Sequence, residues 1–318
     1  MRWEREVKGG NKRIDLYLSK GGLHLSRNRV KRLIKEGKVL VNGHPVKPNY
    51  VVKDGDKIVV EYEPFVPADV EPENIPLDIV YEDRYLVVVN KPTGMVVHPA
   101  KGHLSGTLVN ALLYHTGKKL APGTEPTRPG VVHRLDKDTT GLILFAKEPS
   151  AHTYLSGEIY HRRVKRVYLA IVWGRPPLDE GTVNAPIGRH LIFREKMAVT
   201  PFGSRSAVTH FRVLYSTKLA SILKVTLETG RTHQIRVHLS HLGYPIVGDP
   251  DYGGRDGSIL QKIGVEYREK FYNILHMIER QALHAMMLGF RHPVTGEWMN
   301  FYAPVPEDMR NVIREIIR

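Results

Sequence analysis

Val131-Val132-His133-Arg134-Leu135-Asp136-Lys137-Asp138-Thr139-Thr140-Gly141 is the densest polar cluster in the chain, and it opens directly into the apolar run Leu142-Ile143-Leu144-Phe145-Ala146. A short apolar run behind a glycine reads as a buried strand. Lys137 to Gly141 suits a turn, because Asp, Thr and Gly are turn formers. His133-Arg134 suits a plain surface turn less well, because it adjoins the apolar pair Val131-Val132. The segment therefore reads as a charged loop set into a hydrophobic sheet.

Other strands lie to either side. Leu86-Val87-Val88-Val89 is apolar and β-branched and stops at Asn90-Lys91-Pro92. Val164 to Trp173 is rich in Val, Tyr and Ile, and the runs Val208 to Leu214 and Ile222 to Thr229 alternate. Helical stretches are expected around 105–115, 150–161, 232–242 and 306–317. In the third, Thr232 is placed to cap a helix with Ile235, Leu239 and Leu242 on its core face, which lets Arg236 point into a cleft. There is no internal repeat. Residues 77–318 read as an α+β domain with a mixed, largely antiparallel sheet.

The first sixty residues differ in character. They carry +9 of the chain's net +14. Ser26 is read as an N-cap, followed by Val30, Leu33 and Ile34 at helical spacing and a stop at Gly37. Arg27, Arg29, Lys31, Arg32 and Lys35 cover much of the remaining helix surface. Asn42-Gly43 between Val39-Leu40-Val41 and His44-Pro45-Val46 is a hairpin signal. Five cations on one short helix repel one another, a cost that makes sense if phosphates sit opposite. Residues 1–62 form a small α/β module on this reading. The proline- and acid-rich stretch around Pro64, Pro67, Pro72 and Pro76 reads as an extended linker over residues 63–76.

Composition narrows the classes. The chain has 318 residues, 47 Lys+Arg against 33 Asp+Glu, and no cysteine. The basic balance suits a polyanionic partner. The lack of cysteine excludes disulfides, iron–sulfur clusters and thiol nucleophiles. The start Met1-Arg2-Trp3-Glu4 has no apolar core of a signal peptide, and no apolar run approaches the length of a membrane span. A soluble cytoplasmic protein without membrane association is expected, and nothing in the sequence demands more than a monomer.

Two further clusters carry candidate chemistry. Leu227 to Leu239 includes Arg231-Thr232-His233-Gln234-Ile235-Arg236. His233, His238 and His241 invite a metal reading, but the spacing is not His-Glu-x-x-His and no cysteine is available, so hydrogen-bonded histidines are the reading kept and no metal is expected. Arg162-Arg163-Val164-Lys165-Arg166-Val167-Tyr168 places a tyrosine beside cations, a composition shared by core strands and by base-stacking platforms.

Together these motifs resemble the RluA/RluD family of pseudouridine synthases. The resemblance rests on His133-Arg134-Leu135-Asp136, Tyr168, Arg231 to Arg236, Asn90-Lys91-Pro92-Thr93-Gly94, Gly248-Asp249-Pro250, Leu283-His284-Ala285, and His292-Pro293 with Gly296-Glu297. It spans almost the whole chain with the motifs in order. The N-terminal segment, Ser26-Arg27-Asn28-Arg29 leading into Val39 to Gly43, resembles the RNA-binding module named after small-subunit ribosomal protein S-four. The resemblance implies the pseudouridine synthase fold and isomerisation of uridines in RNA, in large-subunit (23S) ribosomal RNA for the branch with this module, with no cofactor.

It also implies roles. Asp136 is the essential carboxylate, a group type with an ordinary pKa of about 3.9 that is ionised at neutral pH, and Arg236 is its partner. Tyr168 stacks on the uracil or helps to remove the C5 proton, and an ordinary phenol pKa of about 10 favours the stacking role. Arg134 is placed to fill the space the flipped base vacates or to clamp the nucleotide, and His133, Lys91 and Arg231 are candidate RNA contacts. The target base must leave its stack to be reached. Two alternatives stand beside this reading. Asp136-Lys137-Asp138-Thr139-Thr140 fits the Asp-x-Asp-x-Thr of Mg-dependent aspartyl-phosphate phosphatases, but His133-Arg134 interrupts the required apolar strand. A non-catalytic RNA-binding or ribosome-assembly factor is disfavoured because Asp136, Tyr168 and Arg236 are all present.

Overall fold

The computed structural model describes residues 2–20, 27–62, 70–100, 102–123, 125 and 127–318. The Ser26 cap, the side chains of Arg27 and Arg29, and residues 63–69 of the expected linker lie outside the described residues. The chain divides into two compact units, one of residues 1–70 with 122–129 and one of residues 71–121 with 130–318.

The N-terminal unit contains β1 (Arg2–Glu6), β2 (Lys12–Arg13), α1 (Ile14–Lys20), α2 (Arg27–Lys35), β3 (Val39–Val41), β4 (His44–Pro45), β5 (Val51–Val52) and β6 (Lys57–Glu61). Its main sheet runs in the order β1-β6-β3-β4, and β2 pairs with β5. Val30, Leu33 and Ile34 of α2 pack against Ile14, Leu18, Val39, Ile58 and Val60, so the helical periodicity does define the buried face. Asn42 and Gly43 sit at φ +51° and +81°. Both central residues of the tight β3–β4 turn need this left-handed region, and asparagine and glycine tolerate it best. Two of the α2 cations find carboxylates: Lys31 lies 3.8 Å from Asp15 and Arg32 lies 3.4 Å from Glu36. The helix is therefore less self-repelling than its sequence suggests.

The larger unit contains β7 (Ile79–Glu82), β8 (Leu86–Lys91), α3 (Leu108–His115), β9 (Thr140–Ala146), α4 (Pro149–Tyr160), β10 (Lys165–Trp173), β11 (Glu180–Asn184), β12 (Ile187–Arg189), β13 (Met197–Val199), β14 (Val208–Ser216), β15 (Ala220–Leu227), α5 (Gln234–His241), α6 (Leu260–Ile263), α7 (Arg268–Met277), β16 (Leu283–Arg291), β17 (Trp298–Tyr302) and α8 (Glu307–Ile317). The sheet order is β11-β14-β15-β10-β16-β9-β8-β7, with β17 also paired to β16. Every pair is antiparallel except β16 with β9. The sheet is mixed and largely antiparallel, with helices packed on it. No helix among the described residues is long and apolar enough to cross a membrane.

Two local findings position the site. The parallel pairing opposes Thr140 to His284 and Gly141 to Ala285. Gly141 has φ +107°, and a Cβ there would come within 2.3 Å of the Ala285 carbonyl oxygen, so only glycine lets the two strands close at this point. Opposite Tyr168, the register of β10 against β16 slips between Val167 and Leu169. Such a bulge re-aims side chains and is common beside active sites.

The C-terminal part of the expected linker is fastened down. The Asn110 side-chain amide donates to the Glu71 carbonyl at 2.8 Å, and the Gly106 N–H donates to the Glu73 carboxylate at 3.0 Å. Residues 71–76 are thus tied to α3, because an acidic stretch can serve the unpaired N–H groups that precede a helix.

Candidate active site

Asp136 stands in the loop that precedes β9, with its side chain 17% exposed. Leu135 before it is buried, and the Thr139 N–H donates to the Asp136 carbonyl at 3.1 Å, closing a turn. The loop is anchored from below. The ammonium of Lys91 donates to the carbonyls of Lys137 at 2.7 Å, Pro92 at 2.7 Å and Met95 at 2.9 Å. Arg280 donates to the Asp138 carbonyl at 3.1 Å, and Gln281 to the Thr139 hydroxyl at 3.1 Å.

These contacts correct the expectation for Lys91. It is 1% exposed, and all three of its protons are spent on carbonyls, so it supports the loop and does not reach an RNA phosphate. Burial pushes its ammonium down to about 7, while Asp138 pulls the other way. His133 is half-buried and is tied to β9. Its Nε2 accepts the Leu144 N–H at 3.0 Å, and burial, reinforced by the nearby Arg166 charge, lowers its pKa to about 3. A neutral imidazole locked to β9 is a structural element of the loop. Arg134, the next residue, is exposed.

Arg236 projects from α5. Its Nε and Nη2 donate to the two oxygens of Asp249 at 2.7 and 2.8 Å, Nη2 also reaches Asp251 at 2.7 Å, and Nη1 meets the Oδ2 of Asp136 at 3.4 Å. Burial alone would pull the guanidinium's pKa down, but the hydrogen bonds and charge of Asp249, with Asp136 and Asp251, raise it above the ordinary arginine value. Tyr252 lies beneath, with the guanidinium carbon 4.8 Å from its ring centroid. The Tyr252 hydroxyl joins the His233 Nδ1 at 2.8 Å and accepts the Met197 N–H at 3.0 Å.

His233 turns its Nε2 towards Asp136 at 3.9 Å. It occupies the left-handed region at φ +55° and immediately precedes α5. Thr232 therefore does not cap the helix, and Leu242 is 40% exposed instead of core, whereas Ile235 and Leu239 are buried as expected. His238 bonds Thr209 and the Ala185 carbonyl, and no metal-holding group of His, Asp or Glu occurs among the described residues.

Tyr168 is 5% exposed on β10. Burial raises its phenol pKa and the Asp136 charge adds to this, while Arg166 opposes. The phenol is consequently poorly suited to act as a base. Arg231 is half-buried, and its Nε donates to the Ser206 carbonyl at 3.1 Å.

The structure thus brings Asp136, Arg236 and His233 into one cluster beside Tyr168. It adds Asp249, Asp251 and Tyr252, which have no role at the site on the sequence reading. The Gly248-Asp249-Pro250 motif points at Asp249 without saying that it faces Arg236.

Residues 85–241 match the family described as RNA pseudouridylate synthase, and residues 12–58 match the S4 domain. An RNA pseudouridine synthase of Chlorobaculum parvum is 47% identical over 309 residues, covering 96% of this chain and 94% of that one. The ribosomal large subunit pseudouridine synthase D of Pseudomonas aeruginosa is 45% identical over 299 residues, covering 94% and 90%. Among solved structures, human RNA pseudouridylate synthase domain containing 4 aligns with a TM-score of 0.58 at 29% identity, over 76% of this chain and 93% of that one. The chain belongs to the RNA pseudouridine synthase family, whose reaction is an isomerisation. Within that family it has the RluD-type arrangement, an S4 domain ahead of the catalytic domain.

Proposed function

We propose that this protein converts uridines of large-subunit ribosomal RNA to pseudouridine with Asp136 as the catalytic carboxylate. The observation that carries the assignment is the position of Asp136, on a loop anchored by Lys91 and Arg280 and facing Arg236 at 3.4 Å. The choice of ribosomal RNA rests on the relatives named for it.

The reaction breaks the bond from N1 to C1′, turns the base, and forms a bond from C5 to C1′. The C5 proton leaves and N1 gains one, so atoms balance without an oxidant or a group donor. Positive charge develops on the ribose as the first bond breaks, and a carboxylate aimed at that carbon opposes it. Arg236 keeps Asp136 oriented. Tyr168 offers its ring to the uracil. Arg134, exposed beside Asp136, fills the gap that the extruded base leaves. Arg231 and the α2 cations Arg27, Arg29, Lys31, Arg32 and Lys35 contact the RNA backbone. Residues 1–62 act as the RNA-binding module, and the protein works as a cytoplasmic monomer.

The test is to incubate the protein with unmodified large-subunit rRNA transcript in EDTA and map pseudouridine. Discrete modified positions support the reading. Modification of transfer RNA alone would replace the substrate, and no modification of either RNA would contradict the activity.

A further inference from the structure

Arg166 lies two residues before Tyr168 on β10, so both side chains leave the same face of the strand. Only 7% of Arg166 is exposed. Its Nε is buried without a hydrogen-bond partner, and the guanidinium makes no hydrogen bond or ion pair among the described residues. An arginine does not lose its proton in a protein, so this is a buried, unpaired charge. Such a group is costly to bury and is retained where something else balances it.

The neighbouring carboxylates are already engaged. Asp249 and Asp251 hold Arg236, Asp136 faces Arg236 and His233, and Glu228 is shared by Arg162 and His210. The opposite sign is scarce on this side: Arg205 and Arg162 lie close enough to Arg231 to depress its proton affinity further after burial. Gly230 is exposed and is not in the left-handed region, and a Cβ there would stand 2.9 Å from the Arg166 Nη1. A side chain at 230 would crowd the guanidinium on its outward side.

We propose that Arg166 is a positioning residue that binds a phosphodiester of the flipped nucleotide through its guanidinium. Planar, paired N–H donors match phosphate oxygens, and a site with little water makes the contact strong. The phosphate supplies the charge that Arg166 lacks, and the contact fixes the ribose over Asp136 while Tyr168 takes the base. This rests on the reading of Asp136 and Tyr168 as the nucleotide site.

The test compares wild type with Arg166→Met and Arg166→Lys on the RNA that wild type modifies, measuring affinity against salt, single-turnover rate and melting temperature. Arg166→Met should weaken binding about ten- to a hundredfold, as expected for removing a charge-assisted hydrogen bond, and lower the salt slope by about 0.7 to 0.9. Its melting temperature should be unchanged or higher, because an unpaired buried charge has gone. Arg166→Lys should recover part of the affinity. A methylphosphonate scan of the substrate should find one position that weakens wild type and leaves Arg166→Met unaffected. A fall in melting temperature with unchanged salt slope would overturn the proposal and make Arg166 structural. A loss of single-turnover rate with affinity and salt slope both unchanged would overturn it in favour of a contact to uracil. If wild type modifies no RNA, the site reading itself fails, and that outcome is separate because it does not depend on the variants.

Discussion

Arg236 grips Asp249 through two hydrogen bonds of 2.7 and 2.8 Å and meets Asp136 through a single contact of 3.4 Å. The paired fork to Asp249 fixes the plane of the guanidinium, and Asp251 secures one of its amino groups. The remaining amino group is the one turned to Asp136. Asp136 is therefore oriented by an arginine that is itself held elsewhere, while its other oxygen faces His233 at 3.9 Å.

This predicts that Asp249→Asn damages the site more than its distance from the chemistry suggests. Breaking a buried pair leaves Arg236 undercompensated. The cost should be about 3 kcal/mol, the low end for such a pair, because Asp251 and Asp136 remain. The single-turnover rate should fall at least about tenfold as Arg236 loses its aim. Thermal melts and rapid-quench assays check both, and an unchanged melt would remove Asp249 from this role.

Lys91→Met tests the anchoring of the Asp136 loop. The account predicts lower stability, by about 2 kcal/mol for hydrogen bonds to a charged group, and slower turnover. RNA affinity and its salt slope should not change, because the ammonium is turned inward. A reduced slope would restore Lys91 as a phosphate contact.

His133 gives a pH signature. Its folded pKa of about 3 lies below its ordinary value of 6.5, so the unfolded chain binds the extra proton between those values. The contribution to stability is complete above pH 6.5 and is lost as pH falls through 3. In His133→Asn, whose amide oxygen can accept the Leu144 N–H, acid unfolding should move to lower pH. Equal acid midpoints would contradict a neutral His133 bonded to the Leu144 N–H.

Replacing Lys31, Arg32 and Lys35 together with alanine should flatten the salt dependence of RNA binding by about 0.7 to 0.9 for each phosphate that is no longer neutralised. The mapped uridines should stay the same. Modification of different uridines at full affinity would show that the module selects the target.

Much of this is legible in the sequence because several motifs obey local rules. β8 and β9 are short apolar runs ended by turn residues, α2 shows its buried face in Val30, Leu33 and Ile34, and Asn42-Gly43 fixes a hairpin. β16 is harder to read. Leu283-His284-Ala285-Met286-Met287-Leu288 has little β-branching and no alternation, since most of its residues are buried on both sides of a central strand. The turns and short helices of 257–277 escape sequence reading as well, because no segment there holds a long amphipathic period. At the site, the pairing of Arg236 with Asp249 joins residues 13 apart across a turn, and the inward course of Lys91 depends on carbonyls of a loop 46 residues away. Residue type suggests a phosphate contact for Lys91, and only the tertiary structure shows where its three protons go.

The most direct measurement is pseudouridine formation by wild type and Asp136→Asn, each first shown by thermal melting to be folded and by titration to bind the same RNA. The account predicts that wild type forms pseudouridine at discrete uridines and that Asp136→Asn binds the RNA but forms none. Formation by the folded Asp136→Asn protein at a rate near that of wild type would contradict the assignment of Asp136.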